Sequence, residues 1–227
     1  MRGEGGKSQQ VALAELAGAV AAELVLDLAA PVSGARDRLA LVIDHLDRHV
    51  AASTGPTPYP WKALGGLRQD LASAYFEATT AARRIEDLRA ALIGLGAPPS
   101  PTAVGEVVEI GVHLASHRIG DKVELLVDLG VTPPARAERG ALALVVARAV
   151  LVSAHSAAAA PGSALSVRTR AEADAVVISI GDNGAGVGDG AVVEAMAVVV
   201  DSWGGRVDAA ITTDVGCVFE IRLATAS

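Results

Sequence analysis

The chain has 227 residues, 51% of them hydrophobic, which is enough to bury a sizeable core in one or two domains and argues against disorder. A formal net charge of −7, with no Lys/Arg run longer than Arg83-Arg84, argues against a nucleic-acid or anionic-membrane surface as partner. The single Cys217 excludes an internal disulfide framework and a cysteine zinc site, and no charge-free run approaches the ~20 apolar residues of a membrane span, so a cytoplasmic protein is expected.

Residues 1–10 are polar and Gly-rich, and read as a flexible N-terminus without a signal core. Beyond them Leu16, Val20, Leu24, Leu28, Val32, Leu39, Val42 and Leu46 recur at spacings of three, four or seven, one stripe of a long helix. Ser53 to Pro60 holds Gly55, Pro56, Pro58 and Pro60, which break the helix and turn the chain. Tyr59 and Trp61 in this turn read as aromatics packing a loop, with a binding epitope as the alternative. A second stripe follows: Leu64, Leu67, Leu71, Tyr75, Ala78, Ala82, Ile85, Leu88 and Leu92, ending at Gly94 and Gly96. Together these predict an antiparallel helical hairpin over 11–96. Two amphipathic helices cannot shield a continuous stripe alone, so pairing with a second copy into a four-helix bundle is expected, a homodimer. The alternative is that the stripe packs on the chain's own C-terminal half.

Pro98, Pro99 and Pro101 mark a linker, after which shorter elements alternate over 97–227. Patterning predicts helices over Ala103–His117, Arg139–Ala158 and Ala191–Trp203. Strands are predicted over Val123–Leu129, Leu165–Thr169, Ala175–Ile180, Arg206–Ile211 and Cys217–Leu223. The fold class is α+β, with the second half an α/β sandwich of a mixed sheet under helices.

The strand Ala175–Ile180 runs into Gly181-Asp182-Asn183-Gly184-Ala185-Gly186-Val187. A carboxylate at a strand end can receive an exocyclic amino group of a purine, while Gly184 and Gly186 permit positive φ and close approach to a flat ring. The same residues are ordinary strand-ending turn chemistry, and both readings stand. His45 and His49 read as a solvated helix face or the bundle end; His113, His117 and His155 show no metal-ligand spacing with acids and read as surface or structural, and no metal site is expected.

Several segments carry a resemblance. Asp27-Leu28-Ala29-Ala30-Pro31-Val32 resembles the phosphorelay histidine phosphotransferase motif His-Asp-Leu, two residues, then Pro-Val. Ala81 to Arg89 resembles the second helix of the kinase dimerisation hairpin. His113-Leu114-Ala115-Ser116-His117-Arg118 and Lys122-Val123-Glu124-Leu125 resemble the first helix and strand of the kinase ATP-binding domain. Ser202-Trp203-Gly204-Gly205-Arg206-Val207 resembles its late His-Gly-Gly-Arg turn. In this order, over nearly the whole chain, the sequence resembles bacterial sensor histidine kinases: a dimerisation and phosphotransfer hairpin followed by a GHKL-type ATP-binding domain.

The resemblance implies a degenerate member. The phosphoacceptor position falls on Leu26, which offers no imidazole nucleophile. The family's metal-holding Asn falls near Val152, with Arg148 one turn earlier, on a helix that contains no Asn, Asp or Gln. The family's nucleotide lid has no counterpart: Val187 is followed by Gly188-Asp189-Gly190 and then the helix, with Val192 where a second-box Gly is expected. Asp182, Gly184 and Gly186 would then be the adenine side of a site whose phosphate side is gone, with no resident cofactor and at most a weakly held purine nucleotide. The implied function is a non-catalytic dimeric scaffold for a response-regulator receiver domain or a partner histidine kinase, docking around Leu26, Asp27, Ser33 and Arg36. The alternatives are phosphotransfer through an unexpected histidine, His45 or His49, and a purine-nucleotide-sensing regulator built on Asp182.

Overall fold

The computed structural model describes residues 4–52, 61–93, 95–116, 119, 123–158, 163–184, 190–212 and 216–226. Its elements are α1 (Glu4–Ala52), α2 (Trp61–Leu92), β1 (Ser100–Thr102), α3 (Val104–Ala115), β2 (Glu124–Leu129), β3 (Ala135–Ala137), α4 (Arg139–Ala158), β4 (Ala164–Ala171), β5 (Ala175–Asp182), α5 (Gly190–Asp201), β6 (Arg206–Thr212) and β7 (Gly216–Ala224).

The chain forms two compact units, one made of Met1–Ala22 with Asp87–Ser227 and the other of Glu23–Glu86. This division differs from the expected 11–96 and 97–227. Helix α1 begins at Glu4, within the segment expected as a flexible tail. Ala12, Leu13, Leu16 and Val20 are buried and anchor that end of the helix in the first unit. The end of α2, from Asp87 on, belongs to the same unit.

The first unit is built on a mixed five-stranded sheet in the order β2-β4-β5-β7-β6, with β2 parallel to β4 and the remaining pairs antiparallel. Central β5, flanked by β4 and β7, is buried along nearly its whole length, with only Ser179 and Gly181 part-exposed. Each fully buried Ile, here Ile178 and Ile180, contributes roughly 1.5–3 kcal/mol through the apolar surface it removes from water. Strand β4 alternates instead, with Leu165, Val167 and Thr169 inward and Arg168 and Arg170 outward. On that outer face Arg170 donates to Ser179 Oγ at 2.8 Å and to Glu220 at 3.0 Å. Arg222 donates to Glu172 at 2.5 Å and holds that exposed carboxyl below its ordinary pKa.

Helix α4 lies against β4, β5 and β7 and against α3 and α5. By length and composition it could cross a membrane, yet most of it is buried inside this unit, which makes it a core helix. A second, two-stranded antiparallel sheet pairs β1 with β3, Ser100 opposite Ala137. Thr102 Oγ1 donates across it to the Ala137 carbonyl at 3.1 Å.

The second unit is helical. Arg38 Nε of α1 donates to Glu77 Oε1 of α2 at 3.1 Å, with the Glu77 carboxylate lying over Gly34. An apolar groove of about 610 Å³ runs between the helices, lined by Val32, Leu39, Ile43, Ala78, Ala82 and Ile85 among others. Val32, Leu39, Ile43 and Ile85 remain largely exposed along it.

Candidate nucleotide corner and helical face

Strand β5 delivers Asp182 to the edge of the sheet core, opposite Leu165 of β4 and next to Gly181, which faces Val218 of β7. Asp182 is only 5% exposed. Its Oδ1 accepts the Gly184 N–H at 2.9 Å, the side-chain turn that Asp favours after a strand. Its Oδ2 is buried and, among the described residues, has no hydrogen-bond partner. Turn chemistry therefore accounts for one oxygen and leaves the other as an open acceptor. An unmet buried acceptor costs about 1–3 kcal/mol, more when charged, and a ligand N–H would recover that.

Neighbours fix this corner tightly. The Ala164 N–H donates to Asn183 Oδ1 at 2.8 Å, and the Asn183 N–H returns to the Ala164 carbonyl at 3.3 Å, tying the turn to the start of β4. A Cβ on Gly184 would collide with the backbone carbonyl and Oγ of Ser156 in α4. Gly184 does not adopt positive φ; among the described residues that conformation belongs to Gly96, Gly204 and Gly216. At Gly184 it is the close approach, to a helix backbone, that requires glycine, not positive φ. Gly216, at φ 97, sits where a side chain would strike the Asp182 carbonyl. Gly186, like Val187, Gly188 and Asp189, lies outside the described residues.

The Ser156 contact locates a stripe on α4. Arg148, Val152 and Ser156, four residues apart, are partly exposed on a helix otherwise buried nearly all round, and Ser156 ends this stripe beside Gly184. The positions singled out by resemblance, Arg148 and Val152, thus share a face with the residue that abuts the Asp182 turn. Among the described residues no group of three His, Cys, Asp or Glu is placed to hold a metal. His45, His113 and His155 are exposed; His117 and the side chain of His49 lie outside the described residues.

The expected docking face lies on α1. Arg36 is exposed, donates to Asp37 Oδ1 at 2.9 and 3.0 Å, and reaches Ser33 Oγ at 3.4 Å. Such a solvated pair is worth about 0–1 kcal/mol, so the guanidinium exchanges partners easily. Leu26 and Asp27 belong to α1 by backbone, and their side chains lie outside the described residues.

Sequence reasoning missed three features. Ser156 was within reach of it, since stepping four residues on from Val152 arrives there. Glu77, held by Arg38 over Gly34, carries no sequence signal beyond a charge in a helix. Glu138 is 3% exposed, and its Oε1 accepts the Gly96 N–H at 2.6 Å. Burial raises its pKa, against the lowering effect of that N–H.

No protein-family model and no curated protein matches the chain. Solved structures do. The nucleotide-free catalytic domain of the histidine kinase ThkA aligns with a TM-score of 0.50 at 12% identity, over 57% of this chain and 99% of that one. The ATP-binding domain of PrrB from Mycobacterium tuberculosis aligns at 0.45 and 22% identity, over 57% and 98%. The Acinetobacter baumannii histidine kinase AdeS aligns at 0.48 and 14% identity, over 85% and 97%. The ThkA likeness shows the fold: with its mixed five-stranded sheet and α3, α4 and α5, the α+β part of the chain has the GHKL-type fold of the histidine kinase catalytic domain.

Proposed function

We propose that this chain is a histidine-kinase-like dimeric regulator of two-component signalling that docks a receiver domain or a partner kinase and transfers no phosphate itself. The observation that carries this reading is the partly exposed stripe of α4. Val152 stands near where the resemblance calls for a metal-holding Asn, with Arg148 one turn earlier, beside a corner that keeps its buried Asp182. Phosphoryl transfer depends on metal ions that neutralise the developing charge, and a valine supplies no oxygen ligand. Leu26 at the phosphoacceptor position agrees, because a leucine cannot attack phosphorus. Ser33 and Arg36 offer an adaptable polar rim, and the resemblance puts the docking centre at Leu26 and Asp27. A cytoplasmic setting fits all of this. Incubating the chain with phosphorylated receiver domains is the test: stable co-elution, lost in Leu26→Glu, supports the scaffold, and a phosphohistidine on this chain, at His45, His49 or elsewhere, overturns it.

A second reading has its own observation. The unpartnered, buried Asp182 Oδ2 is an acceptor suited to the amino group of a purine, which favours a nucleotide-sensing role. Calorimetry with ADP and ATP should give heat that Asp182→Asn abolishes, since the amide turns an acceptor into a donor. Absence of heat at millimolar ligand leaves the corner as a turn.

A further inference from the structure

Within the first unit the C-terminal end of α2 is seated on the start of α4. Ala91 is 1% exposed, and a Cβ on Gly140 would collide with its carbonyl oxygen, so the two segments meet backbone to backbone. Just before α4 the side chain of Glu138 turns inward and accepts the N–H of Gly96 at 2.6 Å, where the chain, at φ 84, swings out of α2 toward β1. The carboxyl is therefore a single polar peg under the exit of a long helix, and the site would hold a neutral acid more comfortably than an ion.

The charged groups on the adjoining elements lie at or near the surface. On α4, Arg139 is paired at 3.1 Å with Glu106 of α3, both exposed. Strand β3 carries Arg136, exposed, β1 carries no charge, and the end of α2 carries the partly exposed Asp87 and the exposed Arg89. The acid feels two influences, burial first and the Gly96 N–H second.

We propose that Glu138 is a proton-operated latch: neutral, it stays buried and holds Gly96 and the end of α2 on α4; ionised, it moves to water and lets that end loosen. The sign follows from linkage. The closed state binds the proton more tightly than the open one, whose carboxyl titrates at the ordinary value of 4.5. Closing is fully favoured below that value and weakens as pH rises to the raised one, by about tenfold per pH unit between the two.

Amide hydrogen exchange over residues 91–97, corrected for intrinsic rates and followed from about pH 5 to pH 8, reads the latch directly. Protection in the wild type should fall with rising pH. In Glu138→Gln, which keeps the acceptor and cannot ionise, it should stay flat. A flat wild-type profile, or the same slope in both proteins, overturns the proposal. Should the Gln variant fail to fold, carbon NMR titration of the Glu138 carboxyl in the wild type decides: a raised midpoint coinciding with the loss of protection supports the latch, and titration at the ordinary value overturns it.

Discussion

Asp182 and Gly184 divide one task between them. The carboxylate closes the turn with one oxygen and leaves the other unmet, while the glycine lets the turn lie directly against the carbonyl of Ser156. Sequence reasoning located Asp182 because a strand that ends in Asp-Asn-Gly carries a local signature. It could not give the reason for Gly184, since the constraint comes from a helix distant along the chain. The consequence can be measured. Gly184→Ala forces a methyl into the Ser156 backbone and should destabilise by at least ~1–3 kcal/mol, seen as a lower urea midpoint with an unchanged slope. A change within ~0.5 kcal/mol would mean that the approach relaxes at little cost. Glu138 was equally illegible, because a charged residue preceding a helix reads as a solvated cap until its burial is known.

Among the elements, periodicity performed best where an element had one wet side. Strand β4 alternates and α1 carries a stripe, and both were readable. Strand β5 and helix α4 are buried almost throughout, so length and flanking turns had to separate strand from helix. The β1–β3 pair went unread: three residues with Pro101 at the centre look like a linker, and only the partner strand reveals the ladder. The turn after α5 was legible as Gly-Gly. Gly204, at φ 77, takes the left-handed position past the helix end, while the Gly205 N–H returns to the Val200 carbonyl at 3.1 Å. Gly204→Ala has open space for its methyl but the wrong backbone, so it should cost about 1 kcal/mol and lower Tm by a few degrees without altering the sheet. Calorimetry showing no loss would refute the left-handed cap as a stabilising feature.

For the whole molecule, the groove of the second unit sets the assembly question. Val32, Leu39, Ile43 and Ile85 leave an apolar strip facing water, which is costly in a monomer; Val32, Leu39 and Ile85 belong to the stripes from which a dimer was expected, while Ile43 does not. Sedimentation should give twice the chain mass at micromolar concentration, and Ile43→Glu combined with Ile85→Glu should shift it to the monomer while the circular dichroism of the helices persists. A monomeric wild type would refute pairing through this strip.

The two-unit division also orders events in time. The first unit takes residues from both ends of the chain, with the second unit spliced between them. Leu13, Leu16 and Val20 are buried in a unit that resumes only at Asp87, so their burial is a contact between segments far apart in the chain and forms slowly. A chain halted before Asp87 would lack the rest of that unit and leave the three side chains without the neighbours it supplies.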